Sequence, residues 1–351
     1  MVKELSVEEK LTIIQRNTQE IIGVEDLRKL LDGKKKPVAY LGTAITGKPH
    51  VGYFMWGLKV ADLLKAGFQV KILLADLHGA LDNTPWTLLE HKYDYYETII
   101  PLMIQAMGVD TNELEFVKGS EFQLKPEYMF DVLQLSSYVS VHDAHKAASE
   151  VVKLGDNPRL SGLIYPLMQA MDEQYLGVDL QFGGTDQRKI MVLARENLPK
   201  LGYKERIELM FPLIPGLIGK KMSASNEKSK IDLMDDEKTV LEKLKGAECE
   251  EGNPENGVMA FCKFILLVIK GDKNEKFLIE RPQKFGGNLV YSNYEELEKD
   301  FVAKKLHPLD LKNAVAKEIS KILIPIHKSK AKLEKIRKLA YPEKLDEKTK
   351  L

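Results

Sequence analysis

A chain of 351 residues with 52 Lys/Arg against 52 Asp/Glu has no net charge to mark a polyanionic partner, so any such partner must meet a local patch. At 44% hydrophobic and 30% charged it reads as a globular chain of about two domains, or one large α/β domain with an appendage, and no apolar run approaches the ~20 residues of a membrane helix. The stretch MVKELSVEEKLTII carries acidic residues and no apolar leader core, and Cys249 and Cys262 form neither a metal-ligand spacing nor a disulfide scaffold, which points to a reducing, cytoplasmic setting.

In chain order, apolar spacing predicts a helix over 6–22, with Val7, Leu11, Ile14 and Ile21–Ile22 near one face, and a second over 24–31. The basic run 34–36 ends at Pro37 as a solvated turn, and 38–42 is the first buried strand. It opens YLGTAITGKPHVGY (40–53), which runs through a turn rich in Gly, Thr and Pro into a helix predicted to close at Gly67. The N–H groups at such a helix start favour an anion. Gly42, Gly47 and Gly52 allow close backbone approach, and Lys48 and His50 add donors. On these residues alone, a phosphate cradle and a plain structural loop stay equally open.

The second strand, 68–75, ends in the polar run Asp76-Leu77-His78-Gly79, at the strand end where ligands bind in open parallel sheets. A long helix from Pro85 to about Met107, a strand at 114–118 and helices over 126–139 and 142–152 follow. In 160–172, Tyr165, Gln169 and Asp172 share one face of a helix. A phenol, an amide and a carboxylate among Leu, Met and Ala need partners, either within a structural network or on a ligand. The strand 178–182 then runs into Gly183-Gly184-Thr185-Asp186-Gln187, a glycine turn whose carboxylate suits ribose hydroxyls.

The loop 212–219 delivers Lys220-Lys221-Met222-Ser223-Ala224-Ser225, which is either a solvated surface loop or a closing loop over polyphosphate. Beyond it helices are predicted near 237–245, 257–269, 294–304 and 309–326. The stretch 328–351 reads as a loosely ordered basic tail. Strands alternating with helices and then helices alone predict a Rossmann-like, doubly wound parallel sheet followed by an all-helical C-terminal domain. The boundaries expected are 1–234, with an inserted segment near 120–160, then 235–328 and the tail 329–351.

Three separated signals occur in a meaningful order: His50-Val51-Gly52-Tyr53, Gly183–Gln187 and Lys221–Ser225. They resemble the "HIGH" and "KMSKS" elements of class I aminoacyl-tRNA synthetases and the turn between them. With LLADLHGALDN, LSGLIYPLMQAMDEQYL, PGLIGKKMSAS, RPQKFGG and LHPLDLKNAVA, the likeness sharpens to the tyrosyl-tRNA synthetases of the archaeal and eukaryotic cytoplasmic branch and covers nearly the whole chain. Tyr53 and Ala224 depart from the two signatures.

The resemblance implies ATP-dependent formation of tyrosyl-adenylate, with Mg2+ accompanying ATP and no structural metal, then transfer to tRNA(Tyr) by a homodimer. It implies that Tyr40 and Asp172 hold the phenol and that Tyr165, Gln169 and Gln187 hold the α-amino end. His50, Lys221 and Ser223 would serve catalysis, and Gly42, His50, Gly52, Asp186, Lys221, Met222 and Ser225 would bind ATP. Phe285, His307 and Asp310 would read the anticodon, and Lys146, Arg188 and Lys189 would meet the acceptor end. The rivals are a tryptophanyl-tRNA synthetase, a nucleotidyltransferase of the same superfamily and a non-catalytic synthetase-derived protein.

Overall fold

The computed structural model describes residues 5–34, 36–219, 222 and 228–343. Lys221, Ser223 and Ser225 lie outside the described residues. The strands are β1 (Glu20–Ile22), β2 (Val38–Ala44), β3 (Gln69–Ala75), β4 (Leu114–Lys118), β5 (Leu180–Gly184) and β6 (Ile207–Phe211). They form one sheet in the order β1-β6-β5-β2-β3-β4. β2 through β6 pair in parallel, while β1 runs antiparallel to β6 at the edge.

β5 and β6 are buried along their whole length, as strands of a parallel sheet covered on both faces are. From β2 the chain winds outward through β3 to β4, and from β5 it winds the other way to β6. The seam between β2 and β5 is therefore the point where strand order reverses, and the carboxyl ends diverge there to leave a crevice.

The N-terminal prediction is corrected. The helix spans only Val7–Gln15, started by a Ser6–Glu9 capping box. Asn17 then takes a left-handed φ of 52°, and residues 20–22 become β1. Ile21 and Ile22 fit a helical face by spacing, but β-branched residues also suit a strand, and pairing with β6 decides the outcome. The run after β3 is the short helix Asp76–Leu81.

Three helices, Ser120–Gln123, Pro126–Ser136 and Val141–Ala148, precede the long helix Leu160–Tyr175. They enclose a second apolar cluster around Tyr128, Leu135, Met168, Met171 and Ile190.

The C-terminal part is mainly helical: Glu237–Lys245, a run from Gly257 to Asp272 with a π-helical segment at Cys262–Leu266, Tyr294–Val302 and Pro308–His327. A two-stranded hairpin, β7 (Phe277–Ile279) with β8 (Leu289–Tyr291), interrupts the helices.

The loosely ordered tail is also corrected as far as Ala340. Lys330–Ala340 is a helix packed against Leu89–Ala106, with Leu333 and Ala340 fully buried. Leu333, Ile336 and Ala340 recur at helical spacing and make the apolar stripe that docks it. Just beyond, the Tyr341 hydroxyl donates to the Gly47 carbonyl at 2.6 Å, so this end of the chain reaches back to the first glycine loop.

Candidate functional site

The crevice at the β2/β5 seam is a cleft of about 600 Å³. Its walls bring together Tyr40, Gly42, His50, Gly52, Tyr165, Gln169, Asp172, Asp186, Gln187 and Met222. Residues up to 182 apart in sequence thus meet because β2 and β5 are neighbours and Leu160–Tyr175 lies across them. Lys146, Arg188 and Lys189 are absent from these walls, as are Phe285, His307 and Asp310.

Asp172 closes one end of the cleft and is 1% exposed. Its Oδ1 accepts from Gln123 Nε2 at 2.8 Å and lies 2.8 Å from the Tyr128 hydroxyl, which is also 2.8 Å from the Met168 carbonyl. Its Oδ2 has no hydrogen-bond partner. Burial pushes the carboxyl up to about 8, and the bonds from Gln123 and Tyr128 hold it from going further.

His78 Nε2 stands 3.7 Å from Oδ2, but burial pushes that imidazole down to about 4, so the two are neighbours rather than an ion pair. Tyr40 is fully buried, and among the described residues its hydroxyl makes only a 3.4 Å contact with the Gln169 carbonyl. An acceptor without a donor and a weakly engaged hydroxyl therefore face the same end, suited to a ligand hydroxyl that both donates and accepts. Gln169 Nε2 donates to Gln187 Oε1 at 3.0 Å, joining the helix to the turn after β5. Tyr165 packs edge-on against His78 with ring centroids 4.6 Å apart.

At the other end the first glycine loop resolves differently from a simple cradle. Val51 N–H donates to the Ile231 carbonyl at 2.9 Å, and Gly52 N–H donates to His50 Nδ1 at 3.2 Å. Those N–H groups are already taken, so anion binding here falls to side chains. Burial and the nearby Lys230 push His50 down to about 3, and a neutral ring accepting at Nδ1 carries its proton on Nε2.

Gly52 is required by contact: a Cβ there would stand 2.9 Å from the His50 ring and 3.2 Å from Met222 Sδ. Met222, 7% exposed, brings the second signature down on the first. Gly184 is equally constrained, since a Cβ would lie 2.6 Å from Leu213 Cδ2 and from Asp186 Oδ1. The loop behind is pinned by Tyr96 and Tyr341, whose hydroxyls both donate to the Gly47 carbonyl at 2.6 Å, while Lys92 donates to the Thr46 carbonyl.

The remaining predicted residues lie on outer surfaces. Lys146 is exposed, Arg188 grips Glu20 with contacts of 2.7 and 2.9 Å, and Lys189 pairs with Glu150 at 2.7 Å. Phe285, 59% exposed, sits in the loop between β7 and β8. His307 caps Pro308–His327 through Nδ1, which accepts from Leu309 N–H at 3.1 Å, and Asp310 lies in that helix's first turn. Arg281 ties the two surfaces by donating to the Gly287 carbonyl at 2.9 Å and the Lys305 carbonyl at 2.8 Å.

Sequence reasoning missed His78, Gln123 and Tyr128. His78 had a signal, being a polar residue at the carboxyl end of β3. Gln123 and Tyr128 had none, because only the packing of the inserted helices brings them to Asp172. Among the described residues no cluster of three or more His, Cys, Asp or Glu could hold a metal ion, and no helix is long and apolar enough to cross a membrane.

A family model described as tRNA synthetases class I (W and Y) matches residues 32–324. The chain is 51% identical over 348 residues to the cytoplasmic tyrosine–tRNA ligase of Danio rerio, covering 98% of this chain but only 65% of that protein. With the cytoplasmic tyrosine–tRNA ligase of Saccharomyces cerevisiae it shares 47% identity, covering 91% of this chain and 83% of the yeast protein. Among solved structures, the tyrosyl-tRNA synthetase from Archaeoglobus fulgidus complexed with L-tyrosine superposes with a TM-score of 0.85 at 40% identity, covering 92% of this chain and 99% of that one.

Proposed function

We propose, for a chain that belongs to the class I tRNA synthetases of the tryptophan and tyrosine family and within them to the tyrosyl enzymes, the activity of a tyrosine–tRNA ligase. Its substrates would be L-tyrosine, ATP and tRNA(Tyr), with magnesium arriving on the ATP. In the first step a tyrosine carboxylate oxygen attacks the α-phosphorus of ATP; a P–O bond forms, the bond to the β-phosphate breaks, and pyrophosphate leaves. In the second, a ribose hydroxyl of the terminal adenosine attacks the activated carbonyl and AMP departs. No covalent bond to the protein forms, so placement and charge stabilisation supply the rate.

The observation that carries this reading is the closed end of the cleft. Asp172 Oδ2 is buried without a donor, and the Tyr40 hydroxyl has one long contact. A phenol satisfies both, whereas the phenylalanine ring leaves both unpaired, and a site built to hydrogen-bond a hydroxyl rejects the analogue lacking it.

Tyr165, with the bonded pair Gln169 and Gln187, would then take the α-amino group, and Asp186 the ribose. His50 Nε2–H, Lys221, Ser223 and Ser225 would meet the phosphates, with Gly42, Gly52 and Met222 shaping the ATP wall. ATP–pyrophosphate exchange tests the reading: exchange stimulated by tyrosine and not by phenylalanine supports it, and exchange with tryptophan alone overturns it.

For tRNA, an exposed ring at Phe285 can stack on an unstacked base, and Asp310 beside His307 can accept from a guanine edge. Lys146 would meet the acceptor end. Arg188 and Lys189 could join it only by exchanging Glu20 and Glu150 for phosphates. A homodimer is supported by Leu124, Phe130, Leu133, Tyr138, Val141 and Leu160, all 46% or more exposed within one short stretch. Light scattering reads the dimer directly. The proposed domains run 1–234, with 120–160 inserted, then 235–328 and 329–351. A cytoplasmic location accords with the relatives named cytoplasmic.

A further inference from the structure

Behind the phenol end of the cleft lies a second group of buried polar side chains that the tyrosine reading leaves unused. Tyr40 on β2 stands opposite Gln181 on β5, and Gln181 opposite Glu208 on β6. Cross-strand neighbours in register share a sheet face, so the three side chains form one row. Glu173, one residue past Asp172 on the helix Leu160–Tyr175, comes against that row. Burial, and then the charge of Glu208, drive its carboxyl upward, and burial drives Glu208 upward too.

None of the four is more than 2% exposed. Yet both carboxyl oxygens of Glu173, both of Glu208, and Gln181 Oε1 have no hydrogen-bond partner. The nearest cations do not reach them. Arg206 donates to the Val178 carbonyl (3.1 Å), the Lys204 carbonyl and Gln174 Oε1 (2.6 Å), and Arg195 donates to the Arg206 carbonyl and Glu205 Oε2 (2.5 Å). Their effect on the pair is through charge alone.

Five buried acceptors in one place are costly unless donors are supplied. Two carboxylates facing each other away from solvent do not both ionise, and one shared proton turns an acceptor into a donor. Trapped water, with two donors per molecule, can satisfy the rest.

We propose that Glu173 and Glu208 hold one proton between them around ordered water, and that this unit, through Gln181, positions Tyr40 at the amino-acid end of the cleft. The proton-sharing half stands on the buried oxygens, while the positioning half rests on the tyrosine reading above. The titratable and charged groups facing the pair are Asp172 on the same helix, Tyr40 from β2, Arg195 from the helix Arg188–Asn197, and Arg206 just before β6. Glu173 and Glu208 are positioning residues; neither is assigned a contact with the reacting atoms.

Infrared difference spectroscopy on the whole protein with isotope-labelled glutamate, at pH 7 and without substrates, tests the first half. A protonated glutamic-acid band is expected, and its frequency should shift in both Glu173→Gln and Glu208→Gln, where burial keeps the remaining acid protonated but its partner is a neutral amide. A missing band, or one whose frequency neither substitution changes, overturns the shared proton.

For the second half, Glu208→Gln should leave the tyrosine KM within about twofold. Glu208→Leu strands Glu173 and should raise that KM about tenfold with kcat for exchange nearly unchanged. Equal tyrosine KM in wild type, Glu208→Gln and Glu208→Leu overturns the positioning role. Should Glu208→Leu fail to fold, Glu208→Gln still decides, since a large rise in its KM contradicts the neutral-partner role. Failure of the wild type to exchange with tyrosine would sink the tyrosine reading instead, and the infrared result would stand apart from it.

Discussion

Asp172→Asn should separate binding from stability in opposite directions. The carboxyl is pushed up to about 8 from an unfolded value of 3.8, chiefly by burial. Between those values the folded state keeps a proton that the unfolded state gives up, so stability falls as pH rises through that window. Each pH unit in it is worth about 1.4 kcal/mol, which puts the upper bound near 4 kcal/mol at pH 7.

Asparagine keeps an oxygen where Gln123 Nε2 and the Tyr128 hydroxyl point, and it removes the need to carry or neutralise a charge. The unliganded variant should therefore melt higher than wild type at pH 7 and close to it near pH 4. Function moves the other way, because the atom facing the ligand becomes a donor. An amide nitrogen cannot accept from the phenol, and leaving that hydroxyl unmatched costs about 1–3 kcal/mol, or roughly 5- to 200-fold in kcat/KM for tyrosine-dependent exchange. Calorimetry across pH and the exchange assay read the two effects. Near-normal exchange in Asp172→Asn, or a melting temperature that does not gain on wild type between pH 4 and 7, would refute this account of the carboxyl.

Tyr40→Phe deletes a hydroxyl held by one 3.4 Å contact, so folding should change by less than about 1 kcal/mol while tyrosine KM in exchange rises. Asp310→Ala should spare exchange and lower charging of tRNA(Tyr); an equal loss in both steps would remove Asp310 from the anticodon surface. A chain ending at Ser329 loses the docked faces of Leu333 and Ala340 and the Tyr341 bond to Gly47, and thermal melting should fall by several degrees. His50 and His78 are held neutral, with pKa values near 3 and 4. The unfolded chain then binds more protons below pH 6.5, so urea titrations should show stability dropping as pH falls from 6.5 toward 4, and less steeply in His78→Gln.

Long-range packing separates what the sequence announced from what it hid. β2, β3, β5 and the helix Leu160–Tyr175 announced themselves, because buried parallel strands are apolar runs and the polar face of that helix repeats at helical spacing. Residues 20–22 did not, since three residues are too few for a period and only β6 decides their state. The helix Lys330–Ala340 was hidden by its composition: its lysines dominate the reading, while Leu333, Ile336 and Ala340 matter only because Leu89–Ala106 lies beneath them.

The candidate site divides along the same line. Tyr40, Tyr165, Gln169, Asp172 and Gln187 were legible because each is a polar residue on an apolar element, and a buried polar group has to be matched. The partners that set their chemistry were not. Asp172 meets Gln123 and Tyr128 across 49 and 44 residues, through helices whose own sequence reads as ordinary amphipathic packing. That matters for function, because those two donors leave Oδ2 as the one oxygen without a donor. Had they been divided between the two oxygens, Asp172 would be a closed structural node with nothing to offer a ligand. On the proposed reading, the same residue type at the same position serves as a specificity element or a buried brace according to which oxygen the inserted helices reach, and here they reach Oδ1.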